Sequence, residues 1–243
     1  MIFAAAQFRA SKGDWLGSAA RLDALLASSL TELTDVALIV CPEMALTGYV
    51  FADAAAAGAV AEPCGGRTFE LASRCAVRHG AYFVIGYPEA APDGRLFNSA
   101  LIVGPSGQLL CNYRKRLLYE LDESWAQPGD AAYPLLETPF GLLTCGICMD
   151  LNDERFIDFL YEAGPEVIAF PTNWLDQGFD VRRYWRWRLQ GYPGWFVAAN
   201  NYGVENGTRF RGVSAILDPD GRSQAHAGAS GDCVLTLDVR PCN

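Results

Sequence analysis

The feature that most constrains this chain is an alternation of short apolar runs with stretches of helical periodicity. Segments 2–8, 36–41, 81–87 and 98–104 are apolar, bounded by turn or polar residues, and too short for buried helices. Such runs read as buried strands. Between them Trp15, Ala19, Leu22, Leu26 and Leu30 recur at spacings of three to four, and Phe69, Ala72 and Ala76 repeat the pattern. Each set marks one apolar helix face. Gly104-Pro105-Ser106-Gly107 predicts a turn into a strand over 108–113. The second half continues with strand 141–147, helix 153–162, strand 166–171, helix 180–190 and strand 195–200. It closes with strands near 211–217 and 232–239, joined through Asp218-Pro219-Asp220-Gly221. Ala54 to Ala61 reads as a surface loop, and no repeat or linker interrupts the pattern. The expectation is a single α/β domain over residues 1–243.

Charge and cysteine usage narrow the partners. A net charge of −9 disfavours nucleic acid as a general partner. Every apolar run falls short of the ~20 residues needed to cross a bilayer, so no membrane partner is expected. The apolar start, Met1 to Phe8, lacks a basic flank and runs into Arg9. It reads as a first strand rather than a leader, which makes a cytoplasmic location the expectation. Cys41, Cys64, Cys75, Cys111, Cys145, Cys148, Cys233 and Cys242 read as reduced thiols, several of them small core hydrophobes within apolar runs.

Polar residues at strand ends are where catalytic groups of α/β proteins gather, and three stand out. Glu43 follows strand 36–41 in CPEMALTGY, and Lys115 follows strand 108–113 in NYRKRLLYELDESW. Cys148 follows strand 141–147 in GLLTCGICMDLN. Each alone has a blander reading: an exposed carboxylate, a solvated basic turn, a buried structural thiol. Cys145 and Cys148 form a C-x-x-C, but a structural zinc site needs four ligands, and the chain has no second such pair. His79 and His226 are not at ligand spacing from one another, so no metal is expected. His79 ends a helical pattern, a good place for a cation, and His226 lies in a Gly/Ala/Ser loop. If a cysteine is activated here, a carboxylate and a lysine are better partners than either histidine.

Together the three segments resemble those of the nitrilase (carbon–nitrogen hydrolase) superfamily in order, spacing and local sequence. That family's P-E-x-x-x-x-G-Y is matched by Pro42-Glu43 with Gly48-Tyr49, and its Y-R-K by Tyr113-Arg114-Lys115. Its G-I-C-x-D is matched by Gly146-Ile147-Cys148-Met149-Asp150. Ala5-Ala6-Gln7 resembles its first strand, and Phe170-Pro171-Thr172-Asn173-Trp174 its P-x-N-W segment. Val197-Ala198-Ala199-Asn200 and Gly212-Val213-Ser214 resemble its V-A-A-N and G-x-S segments. The resemblance implies a four-layer α-β-β-α sandwich, no cofactor, and catalysis by Glu43, Lys115 and Cys148. It also implies a homodimer or higher homo-oligomer, with helices at the interface. The aromatic stretch Tyr184-Trp185-Arg186-Trp187-Arg188 would then face the core or a partner copy.

The implied chemistry accounts for the residue types. A free thiol is mostly protonated at neutral pH and needs a base, Glu43. The tetrahedral oxyanion needs fixed donors, supplied by Lys115 and the backbone N–H of Met149. The family's second Glu, about eight residues after the Lys, falls on Glu123, with Glu120 and Asp122 as rivals. The acidic cluster 120–123 and Asp150 would bind a substrate ammonium or form a solvated turn. Asn173 and Trp174 complete the implied substrate side. Leu117 replaces the usual His of Y-R-K-x-H-L, and Gly191 and Tyr192 replace a Glu and Asn before V-A-A-N. The segments 118–125 and 146–152 look most like the protein N-terminal amidase branch, which deamidates N-terminal Asn or Gln. The expected substrate is therefore a small-molecule amide or a peptide N-terminus. Nitriles and N-carbamoyl amines are rivals within the same chemistry, and a catalytically silent scaffold is the rival outside it.

Overall fold

A computed structural model describes residues 1–239; Cys242 lies outside the described residues. The first half runs β1 (Ile2–Gln7), α1 (Trp15–Leu30), β2 (Val36–Val40), α2 (Ala54–Gly58) and α3 (Arg67–His79). It continues through β3 (Tyr82–Ala90), β4 (Leu96–Val103), β5 (Leu109–Arg114) and a single helical turn, α4 (Glu120–Glu123). The second half runs β6 (Leu136–Thr138), β7 (Gly141–Cys145), α5 (Glu154–Ala163), β8 (Val167–Thr172), α6 (Val181–Arg188) and β9 (Trp195–Asn200). Five short strands close the fold: β10 (Tyr202–Glu205), β11 (Thr208–Arg211), β12 (Ala215–Leu217), β13 (Ser223–His226) and β14 (Cys233–Asp238).

The described strands form two six-stranded sheets, ordered β14-β1-β2-β3-β4-β5 and β13-β12-β9-β8-β7-β6, plus the β10–β11 hairpin. Strand alternation sorts the side chains of the first sheet between two cores. Phe3, Ala5, Leu38, Val40, Val84, Ala100 and Ile102 join the core shared with the second sheet. Their neighbours Ala4, Ala6, Ile39, Phe83, Ile85, Leu101 and Val103 pack with Leu22 and Leu26 of α1 and Leu71, Ala72 and Cys75 of α3. On the second sheet Phe170 and Phe196 meet Trp185 of α6, with ring centroids 6.2 and 5.6 Å apart. Phe156 and Leu160 of α5 are fully buried in the same cluster. The result is the α-β-β-α layering that the family resemblance implied. Among the described residues no helix is long and apolar enough to cross a membrane.

Three expectations change. The Asp218–Gly221 turn closes a β12–β13 hairpin, with Gly221 N–H donating to Asp218 O at 2.8 Å. β14 instead crosses to the other sheet and pairs antiparallel with β1. Segment 211–217 is not one strand, because Gly212 (φ +66°) and Val213 (φ +60°) turn the chain between β11 and β12. The Ala54–Ala61 loop contains helix α2, whose start is capped by Asp53 Oδ1 accepting from Ala56 N–H at 2.8 Å.

Candidate active site

Three loops at strand ends converge where the sheets face each other. Glu43 follows β2, and β3 holds its loop: Cys41 N–H donates to Val84 O (2.7 Å), Gly86 N–H to Pro42 O (3.1 Å), and Ala45 N–H to Gly86 O (3.0 Å). That approach requires glycine at 86, since a Cβ there would lie 2.5 Å from Glu43 Cα. Lys115 follows β5, its N–H donating to Asn98 O at 2.8 Å. Cys148 follows β7 and opens a 3-10 turn over Cys148–Asn152. Its φ of +44° is a left-handed conformation that costs a non-glycine residue about 1–3 kcal/mol and recurs at functional sites.

Asp150 clamps two of these loops together. Its Oδ1 accepts from the N–H groups of Arg116 (3.0 Å) and Leu117 (2.9 Å). Its Oδ2 accepts from Tyr113 O–H (2.7 Å) and Ile147 N–H (2.9 Å). The lysine loop and the cysteine turn therefore share one buried carboxylate.

Lys115 Nζ lies 2.8 Å from Glu43 Oε1 and 2.6 Å from Asp122 Oδ2, and all three side chains are 0% exposed. Asn98 Nδ2 braces both carboxylates, donating to Glu43 Oε1 (2.6 Å) and Asp122 Oδ1 (3.1 Å). Asn173 donates its N–H to Glu43 Oε2 and its Nδ2 to Glu43 O, each at 2.8 Å. Burial raises the Glu43 pKa, Lys115 opposes that rise, and Asp122 adds to it. For Lys115 burial acts downward, but Asp122 and Glu43 outweigh it and hold the ammonium pKa well above its ordinary value. The Cys148 thiol is pushed up by burial and by Glu43, against Lys115, the Thr172 hydroxyl and the Asn173 N–H, which favour the thiolate. The resting site thus pairs a protonated thiol with a carboxylate of raised proton affinity and a permanent cation.

Cys148 opens into a cavity of about 230 Å³ walled by Tyr49, Tyr119, Trp174, Phe179 and Tyr184. Met149, Asn152, Asn173 and Gln177 also reach it. Of the residues expected on the substrate side, Met149, Asn173 and Trp174 line this cavity. Glu123 does not: it is exposed and borders a separate hollow with Arg116 and Leu118. The single turn of α4 points the neighbouring Asp122 inward, where its Oδ2 also accepts from Tyr119 N–H at 3.1 Å. Asp150 is likewise corrected, because its four hydrogen bonds leave no oxygen for a substrate ammonium. Asn98, Tyr49 and Thr172 were not anticipated. Only Tyr49 and Thr172 fall inside segments that carried a signal, the P-E-x-x-x-x-G-Y and P-x-N-W runs. Of the two tryptophans in α6, Trp185 is fully buried and Trp187 is 59% exposed. His79 does not carry the expected cation, since burial and Arg78 lower its pKa. Among the described residues no three His, Cys, Asp or Glu side chains are grouped to hold a metal ion.

The family model described as carbon-nitrogen hydrolase matches residues 4–241. The chain belongs to the carbon–nitrogen hydrolase family. This carbon–nitrogen hydrolase is 35% identical over 210 residues to the "Hydrolase in pqqF 5'region" of Pseudomonas protegens, covering 85% of this chain and 73% of that one. It is 27% identical over 269 residues to a protein N-terminal amidase of Schizosaccharomyces pombe, covering 93% and 94% of the two chains. Among solved structures, an amidase from Nesterenkonia sp. AN1 superposes with a TM-score of 0.83 at 21% identity, covering 99% of this hydrolase and 93% of that chain. An N-terminal amidase bound to an Asn-Glu-Ala peptide gives 0.83 at 18% identity, covering 98% and 97%. At those identities the two superpositions speak for the fold, and the family match speaks for hydrolysis of carbon–nitrogen bonds.

Proposed function

We propose that this hydrolase cleaves carboxamides through a thioester on Cys148 and releases ammonia. The observation that carries the reading is the fully buried Lys115, held between Glu43 and Asp122 beside a thiol that opens into a cavity. Glu43 takes the Sγ proton as sulfur attacks the carbonyl carbon. The oxyanion is met by Lys115 Nζ and the Met149 N–H, donors of a kind whose loss typically costs about 2.7–4 kcal/mol. Glu43 passes its proton to the leaving nitrogen, and ammonia departs. Water then attacks the thioester carbon and gives one proton to Glu43, which returns it to Sγ as the carboxylic acid forms. The raised pKa of Glu43 suits a group that must accept and return a proton.

Several relatives support an amide over a nitrile. One solved neighbour is an amidase with acrylamide added at its active-site cysteine, and others are N-terminal amidases holding Asn- or Gln-starting peptides. Small free amides and N-terminal Asn or Gln amides are accordingly the two substrate classes to compare. The test is ammonia release across carboxamides, nitriles, N-carbamoyl amines and Asn/Gln-starting dipeptides, with Cys148→Ala alongside. Release from amides by the wild type alone supports the proposal; faster release from nitriles than from the matching amides overturns it.

A further inference from the structure

We infer that the acyl group taken by this cavity is short, flat and uncharged, of an aryl or arylalkyl type, rather than the ammonium-bearing amide of an N-terminal Asn or Gln. The inference rests on the amidase reading above. At about 230 Å³ the cavity is smaller than the roughly 300–1,000 Å³ of sites for drug-sized ligands. Its wall is aromatic and continuous: Trp174 and Tyr184 have centroids 5.4 Å apart, and Tyr184 and Phe179 6.2 Å apart. Ring faces and edges at these separations are what a flat apolar group packs against. The polar members of the lining are neutral amides, and one of them, Asn152, accepts a hydrogen bond from Tyr184 O–H.

The carboxylates that might greet an ammonium are committed elsewhere. Glu43 and Asp122 are 0% exposed and held on Lys115. Asp150 is spent on its four donors, and Glu123 borders the other hollow. Among the described residues the lining holds no Asp, Glu, Lys or Arg side chain. A substrate ammonium would give up its water without gaining a counter-charge, which is costly. A substrate carboxylate would meet the same penalty.

The test compares kcat/KM for 3-phenylpropanamide and phenylalaninamide, which differ by one α-amino group, with Gln-Gly and N-acetyl-Gln-Gly as a second matched pair. Ammonia is read at a pH where the amines are protonated. The uncharged member of each pair is expected to lead by at least about tenfold. Asn152→Asp places a carboxylate on the wall in nearly the same shape and is expected to narrow that lead by about tenfold or more. Equal or faster turnover of the ammonium amides overturns the inference and would mean that the rings hold the cation over their faces. A lead unmoved by Asn152→Asp also overturns it. Ammonia from none of these amides, with wild type and Cys148→Ala alike, would instead defeat the amidase reading itself.

Discussion

Asp122→Asn isolates the role of the second carboxylate on Lys115. The substitution keeps the shape and the bonds from Asn98 and Tyr119 within reach, but it removes the charge 2.6 Å from Nζ. At an effective dielectric of about 20, that contact is worth on the order of 6 kcal/mol before desolvation. Breaking one partner of a buried pair typically costs about 3–5 kcal/mol. Glu43 remains 2.8 Å from the same ammonium, which places the loss near the lower end, about 3 kcal/mol. For a domain of this size that lowers Tm by roughly 6–12 °C. Asp122 also raises the Glu43 pKa, so its loss moves the acid limb of kcat/KM to lower pH. With the lysine less firmly held, kcat/KM on the plateau falls on the order of a hundredfold. Glu123→Gln, changed on the exposed surface, should shift stability by no more than about 0.5 kcal/mol and leave the rate alone. Differential scanning calorimetry and pH-dependent kinetics on both variants read the contrast. A Glu123→Gln enzyme that loses activity beside an unaffected Asp122→Asn enzyme would refute the reasoning.

Other consequences follow from the same contacts. Glu43 acts as base only when ionised and its pKa is raised, so kcat/KM should fall on acidification with a midpoint above the ordinary 4.5; a limb at or below that value contradicts the assignment. Asp150→Asn presents an amide N–H to donors it cannot accept from. It should cost about 3 kcal/mol in urea unfolding and lower kcat more than it changes KM, because both the Lys115 and Cys148 segments lose their clamp. Gly146→Ala drives a Cβ to 2.6 Å from the buried Phe156 ring, and overpacking of that kind costs about 1–3 kcal/mol, measurable in the same titration.

Much of this arrangement was legible in the residues, for reasons that also explain the gaps. β1, β2, β3 and β4 are buried on both faces, so they read as apolar runs. α1 shows its face because one stripe of it packs on a sheet. The β10–β11 hairpin carries no such pattern: Tyr202–Glu205 and Thr208–Arg211 are mostly half-buried or exposed. Its position depends on Glu205, which accepts from Val50 N–H at 2.8 Å, a partner that sequence spacing does not reveal. The choice between Asp122 and Glu123 turned on which side of a single helical turn faces inward, about 100° per residue, and charge alone cannot specify that. Asp150 carried the right chemistry for an ammonium site, yet its donors are backbone groups brought together only by folding. Glu43, Lys115 and Cys148 were more readable because each ends a strand, and strands in facing sheets bring their ends to one place.

The central claim is a covalent acyl-enzyme on Cys148. The most direct measurement is intact-mass spectrometry of enzyme mixed with a carboxamide and acid-quenched within milliseconds to seconds, followed by peptide mapping. The account predicts a mass gain equal to the substrate's acyl group replacing one hydrogen, mapped to the peptide holding Cys148 and absent from Cys148→Ala. Ammonia release by Cys148→Ala at the wild-type rate, or an acyl adduct on another residue, would contradict it.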